Sequence, residues 1–132
     1  MKAAEPRWVQ RVVVDAIHLD QIREHGGLPG LRDEGLLESA LARPRHKWTY
    51  KRRPDLASLA AAYGHGIVKN NPYRDGNKRV AFLTMVVFLG LNGFDLVVEE
   101  PGVVTIMFTA AAGRCPEGDL AKWIRLHTVE LR

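Results

Sequence analysis

The chain has 132 residues, 46% hydrophobic and 26% charged, the size and balance of one globular domain, which excludes a disordered chain, a collagen-like repeat and a disulfide-built miniprotein. Its one cysteine, Cys115, can form no internal bridge and no zinc site alone, so a reducing, cytoplasmic setting is expected. The net charge of +4 is local: Arg43, Arg45, Lys47, Lys51, Arg52 and Arg53 share a stretch without Asp or Glu, and the remaining chain is slightly acidic. A nucleic-acid-coating surface is therefore not expected. A local basic patch for an anion or an acidic partner stays open, beside the plainer reading of a solvated loop around Pro44 and Pro54 with Trp48 and Tyr50 beneath it.

In chain order, Met1–Arg7 lacks the apolar segment of a signal peptide, and no repeat or linker divides the sequence, so a single domain over residues 1–132 is expected. Val9, Val12, Val13, Ala16 and Ile17 follow helical spacing and predict a first helix from about Gln10 to His25, stopped by Gly26-Gly27-Leu28-Pro29-Gly30. Asp33 caps a short second helix with Leu36, Leu37, Ala40 and Leu41, closed by Pro44. Asp55 opens a third, with Leu56, Leu59, Ala60, Tyr63 and Ile67 on one stripe and small residues over much of the rest.

The fourth helix, about Asn77 to Leu91, is apolar on every side after its first turn, which predicts the buried centre of a bundle. Its apolar run, Val80 to Leu91, falls short of the roughly 20 residues that cross a membrane. Asn92-Gly93 ends it, Phe94–Val98 forms a short extended piece, Pro101 starts a fifth helix, and a sixth follows Pro116 with Leu120, Trp123 and Ile124 inward. The expected fold is all-α: a compact bundle of about six helices around one buried helix, with at most a minor β element.

The segment that carries chemistry is Asn71-Pro72-Tyr73-Arg74-Asp75-Gly76-Asn77-Lys78-Arg79. It places Lys78 and Arg79 in the first turn of a helix, where the macrodipole disfavours cations. That placement makes sense if an anion sits there, bound by backbone N–H groups near Gly76 and Asn77 and by both side chains. Gly76 permits a sharp turn without a Cβ in the way, and Asp75 suits a Mg²⁺ that bridges to phosphate oxygens. The competing reading is that Asp75 caps the helix and the cations reach solvent.

The segment resembles the signature loop of the Fic/Doc superfamily, which in its Doc branch reads His-Pro-Phe-x-Asp-Gly-Asn-Lys-Arg. Pro72, Asp75, Gly76, Asn77, Lys78 and Arg79 match outright, and Tyr73 stands for Phe. His25–Asp33 resembles the Gly-Gly-Leu-Pro-Gly turn of that branch, and Phe88–Gly93 resembles the end of its central helix. The resemblance implies a toxin of a toxin–antitoxin pair, held by an antitoxin segment. It implies an ATP-dependent kinase that phosphorylates a threonine of translation elongation factor Tu, with Asp75 for Mg²⁺ and Gly76, Asn77, Lys78 and Arg79 for phosphate. Lys78, where Fic enzymes have a second Gly, points away from the adenylyltransferase alternative. The departure is Asn71, at the position of the general-base His. An amide has no usable basicity near neutral pH, so an inactive or severely impaired enzyme is expected, or a degenerate relative that only binds an antitoxin. His65, six residues upstream, is read as an ordinary, partly exposed histidine.

Overall fold

The computed structural model describes residues 4–52 and 54–131. Six helices follow in order: α1 (Arg11–His25), α2 (Glu34–Tyr50), α3 (Leu56–Asn70), α4 (Asn77–Leu91), α5 (Glu100–Ala111) and α6 (Glu117–His127). The minor β element is an antiparallel pair, β1 (Phe94–Leu96) and β2 (Thr128–Glu130), in the register Phe94–Glu130, Asp95–Val129 and Leu96–Thr128. The architecture is all-α around a buried helix, as the patterning predicts. Among the described residues no helix is long and apolar enough to cross a membrane.

The buried centre is α3 rather than α4. Ten of its residues, from Ala57 to Val68, are buried, and it packs against α2, α4, α5 and α6. Its alanines and glycines, which add little apolar area, let neighbouring backbones approach: a Cβ on Gly64 would lie 2.3 Å from Met85 Sδ of α4, and one on Gly66 would lie 3.4 Å from Ala40 Cα of α2. On α4 one face is half-exposed, with Phe82, Leu83, Val86 and Val87 outside the fully buried row Val80, Ala81, Met85, Phe88 and Leu89. Tyr63, with no exposed surface, anchors the chain start by accepting the Val9 N–H at 3.0 Å, and burial pushes its phenol pKa up.

Three expectations are overturned in detail. α2 runs through Pro44 to Tyr50, so Arg43, Arg45 and Lys47 of the basic stretch are helical. A proline inside a helix costs roughly 3 kcal/mol. Arg43 and Lys47, one turn apart, both donate to Glu117 of α6, and Trp48 packs against the core, which offsets that cost. Tyr50 is 80% exposed rather than tucked under a loop. Of the basic residues, Arg45 lies over the Trp8 ring, 5.7 Å from its centroid, and Arg53 lies outside the described residues. Finally, α1 buries Val14 and His18 and leaves Val12 73% exposed, so its inward face is rotated from the predicted stripe.

Candidate functional site

The loop between α3 and α4 is held as a built structure. Asn71, the C-cap of α3, has φ 50° and ψ 54° and is the one non-glycine with positive φ among the described residues. Asn and His are both enriched in this left-handed region, so the backbone at position 71 suits the asparagine present and would suit a histidine equally. The Arg32 guanidinium donates to the carbonyls of Asn70 and Asn71, each at 2.7 Å. It thereby satisfies C-terminal carbonyls of α3 and opposes the negative end of the helix dipole.

The Gly26–Asp33 segment, predicted as a helix stop at Gly26–Gly30 and a helix cap at Asp33, is the rail on which the loop lies. Arg32 and Asp33 N–H groups both donate to Pro72 O (2.7 and 3.0 Å), Arg74 N–H donates to Gly30 O (3.1 Å), and Leu31 and Tyr73 form an antiparallel bridge. Inside the loop, Asn77 folds back: its Oδ1 accepts the Tyr73 N–H at 3.0 Å and its Nδ2 donates to Tyr73 O at 2.9 Å. The Asn77 side chain is thus engaged with the Tyr73 backbone through both its oxygen and its amide nitrogen. Tyr73 is buried and its hydroxyl donates to Asp15 Oδ1 at 2.7 Å. Burial first, and then this bond, push its phenol pKa far up, so it stays a donor.

At the start of α4, Gly76 is the N-cap in the left-handed region (φ 79°, ψ 12°) and no side chain caps the helix. The capping alternative for Asp75 is overturned: its Oδ2 accepts the Leu28 N–H at 2.7 Å instead. The first turn of α4 thus has no side-chain cap. A left-handed residue followed by helical ones arranges successive N–H groups into an anion-binding concavity. Arg79 is exposed, and Lys78 rests its ammonium 4.6 Å from the Phe108 ring centroid on α5. The six predicted site residues, Asn71, Asp75, Gly76, Asn77, Lys78 and Arg79, therefore lie on one loop and one helical turn.

The donor set discriminates between groups. Among the described residues no three His, Cys, Asp or Glu side chains cluster to hold a resident metal. Asp75 is a lone carboxylate with one oxygen on Leu28, which fits a Mg²⁺ carried on phosphate oxygens, an ion commonly held by one or two carboxylates.

Sequence reasoning missed His18 and Arg32. His18 is buried, stacked on Tyr73 (ring centroids 3.9 Å apart, planes at 12°), with Nε2 3.0 Å from the Asp75 carbonyl. The available signal was its place four residues after Val14, on the buried face of α1. His65 faces away toward α6, its Nδ1 3.8 Å from Glu117 Oε1, and burial pushes its pKa down.

The Fic/DOC family model matches residues 8–89, which takes in α1, α2, α3, the whole loop and most of α4. The chain is 30% identical over 110 residues to "Protein kinase doc" of Escherichia phage P1, across 83% of this chain and 86% of that protein. It is 37% identical over 75 residues to "Toxin Doc" of Mycolicibacterium smegmatis (strain ATCC 700084 / mc(2)155), across 56% of this chain and 58% of that protein. A match over more than half the chain, which takes in the whole α3–α4 loop, means that the chain belongs to the Fic/Doc family.

Proposed function

We propose that this chain is a Doc-type toxin scaffold, a cytoplasmic phosphoryl-transfer domain paired with an antitoxin, that takes ATP with Mg²⁺ and acts on a threonine of translation elongation factor Tu, slowly, because Asn71 stands where a general base is needed. One observation carries this reading: an uncapped helix start behind left-handed Gly76, with Lys78 and Arg79 in its first turn and Asp75 alongside. The names of the two relatives, a protein kinase and a toxin, supply the reaction class.

In phosphoryl transfer the protein's work is positioning and charge stabilisation. Here the backbone N–H groups of the first α4 turn and the Arg79 guanidinium hold phosphate oxygens, and Lys78 reaches them by leaving the Phe108 ring. Mg²⁺ on phosphate oxygens and Asp75 would neutralise charge as it develops. Asn71 can orient a substrate hydroxyl by hydrogen bonding but cannot take its proton, and loss of a general base costs about 10²–10⁴-fold in rate. A binding-only role, in which the fold occupies an antitoxin, is the second reading, and Asn71 is the feature that favours it. On this account, exposed Arg45, Lys51 and Arg52 are the described residues of the basic patch that can steer an acidic partner segment, since Arg43 and Lys47 are paired with Glu117.

Calorimetry with ATP and Mg²⁺ tests the site. The chain should bind, and Lys78→Ala with Arg79→Ala should abolish binding while the thermal unfolding midpoint stays in place. Unchanged affinity in the double variant would refute the anion-site assignment.

A further inference from the structure

We propose that His18 is a positioning residue for the anion site: by donating its Nε2–H to the Asp75 carbonyl it turns the Gly76 N–H outward, toward bound phosphate. This inference rests on the phosphate-binding reading above and adds a residue outside the signature loop.

A carbonyl oxygen only accepts hydrogen bonds, so the 3.0 Å contact between His18 Nε2 and Asp75 O requires the proton on Nε2. In a trans peptide the C=O and the following N–H point to opposite sides of the chain, and no cis peptide occurs among the described residues. Fixing the Asp75 carbonyl on the α1 side therefore directs the Gly76 N–H away from α1. The α1 side of the loop is occupied: a Cβ on Gly76 would lie 3.7 Å from Ile22 Cδ1 and 3.8 Å from His18 Cδ2. Asp75 is exposed and Gly76 partly so.

The imidazole is well placed to impose an orientation because it is itself held. His18 is 5% exposed and stacked face to face on Tyr73, whose hydroxyl is bonded to Asp15 and whose backbone N–H and C=O are both bonded to Asn77. Asp75 is thus gripped twice, at its carbonyl by His18 of α1 and at its carboxylate by the Leu28 N–H of the turn that follows α1. The first grip sets the peptide plane that faces phosphate, and the second sets the carboxylate beside it. Without the first, the 75–76 peptide can rotate at the left-handed glycine, and the concavity loses a preset donor.

The test compares the full chain with His18→Gln, whose amide keeps a donor at similar reach, and with His18→Phe, which keeps a flat ring on Tyr73 but has no donor. Titration with inorganic phosphate, and separately with ATP and Mg²⁺, should give the Gln variant wild-type affinity within about threefold. The Phe variant should lose about tenfold, the scale of one hydrogen bond to a charged group. Amide NMR of the unmodified chain provides a measurement that needs no variant: the Gly76 N–H should move downfield as phosphate is added. A folded Phe variant with wild-type affinity, equal losses in both variants, or a Gly76 amide that ignores phosphate while those of Lys78 and Arg79 respond would each overturn the role of His18. If the unmodified chain binds neither phosphate nor ATP, the underlying site reading falls, and this inference with it.

Discussion

Replacing Gly64 by Ala probes the contact that sets α4, and with it the proposed anion site, against α3. A Cβ at this position would sit 2.3 Å from Met85 Sδ and 2.9 Å from Met85 Cγ, whereas carbon contacts settle at about 3.5–4.0 Å. Relief needs more than an ångström of movement, and Met85 has no exposed surface through which to escape. Overpacking of a tight core costs about 1–3 kcal/mol, and an overlap with two atoms falls at the upper end. Alanine recovers about 1 kcal/mol of helix propensity over glycine, which leaves a net loss of about 2 kcal/mol. For a chain of this length that lowers the thermal midpoint by roughly 8 °C, measurable by calorimetry or circular dichroism. Met85→Ala in the same chain should return part of the loss, as a non-additive pair in contact. Gly90 is the control: it lies exposed on α4 with nothing within 4 Å of an added Cβ, so Gly90→Ala should stabilise by about 0.4–1 kcal/mol. A Gly64→Ala chain as stable as the parent would refute the close α3–α4 approach.

Two pH predictions follow from the charged contacts. Asp55 caps α3 by accepting the Ser58 N–H and is paired with Arg125; the Arg125 bond, chiefly, holds its carboxyl well below the ordinary 3.8. That stability is present above pH 3.8 and is lost as pH falls through the folded value. Asn keeps the cap, and the pair is 48% exposed on the Asp side, so Asp55→Asn should cost about 0.5–1 kcal/mol at pH 7. The cost should shrink in acid, as urea denaturation across pH will show; a pH-independent cost would mean the ion pair contributes nothing. His65 is pushed below its ordinary 6.5, mainly by burial. Below pH 6.5 the unfolded chain therefore takes up a proton that the folded chain refuses, and stability falls until pH passes the folded value. His65→Gln should flatten that part of the profile, and an unchanged slope would assign it to another group.

The legible and illegible parts of this molecule divide along physical lines. Helix existence was readable because Asp33, Asp55 and Pro101 mark starts and Gly26 and Asn92 mark ends, all local signals. Which helix is central was not, because hydropathy weighs Phe82, Leu83, Val86 and Val87 heavily, while the alanines and glycines of α3 report closeness of packing only once partners are in place. The run through Pro44 depends on Glu117, seventy residues away in sequence from Lys47, and no local rule reaches that far. At the site, the phosphate chemistry proposed for the signature loop rests on residue types alone. The devices that hold it, Arg32 on the α3 carbonyls and His18 on the Asp75 carbonyl, use backbone acceptors, which leave no mark in a sequence.

The central claim is that the phosphate-handling half of the site is intact and the proton-accepting half is missing at position 71. Transfer of radiolabel from γ-labelled ATP to elongation factor Tu, measured side by side for the chain and its Asn71→His variant, tests it most directly. The left-handed backbone at 71 accepts histidine, so the variant should bind ATP as the parent does. It should transfer phosphate about 10²–10⁴ times faster, a difference of about 3–5 kcal/mol in barrier. Equal rates from the two chains, at any level above background, would contradict the account, because another group would then be supplying the base.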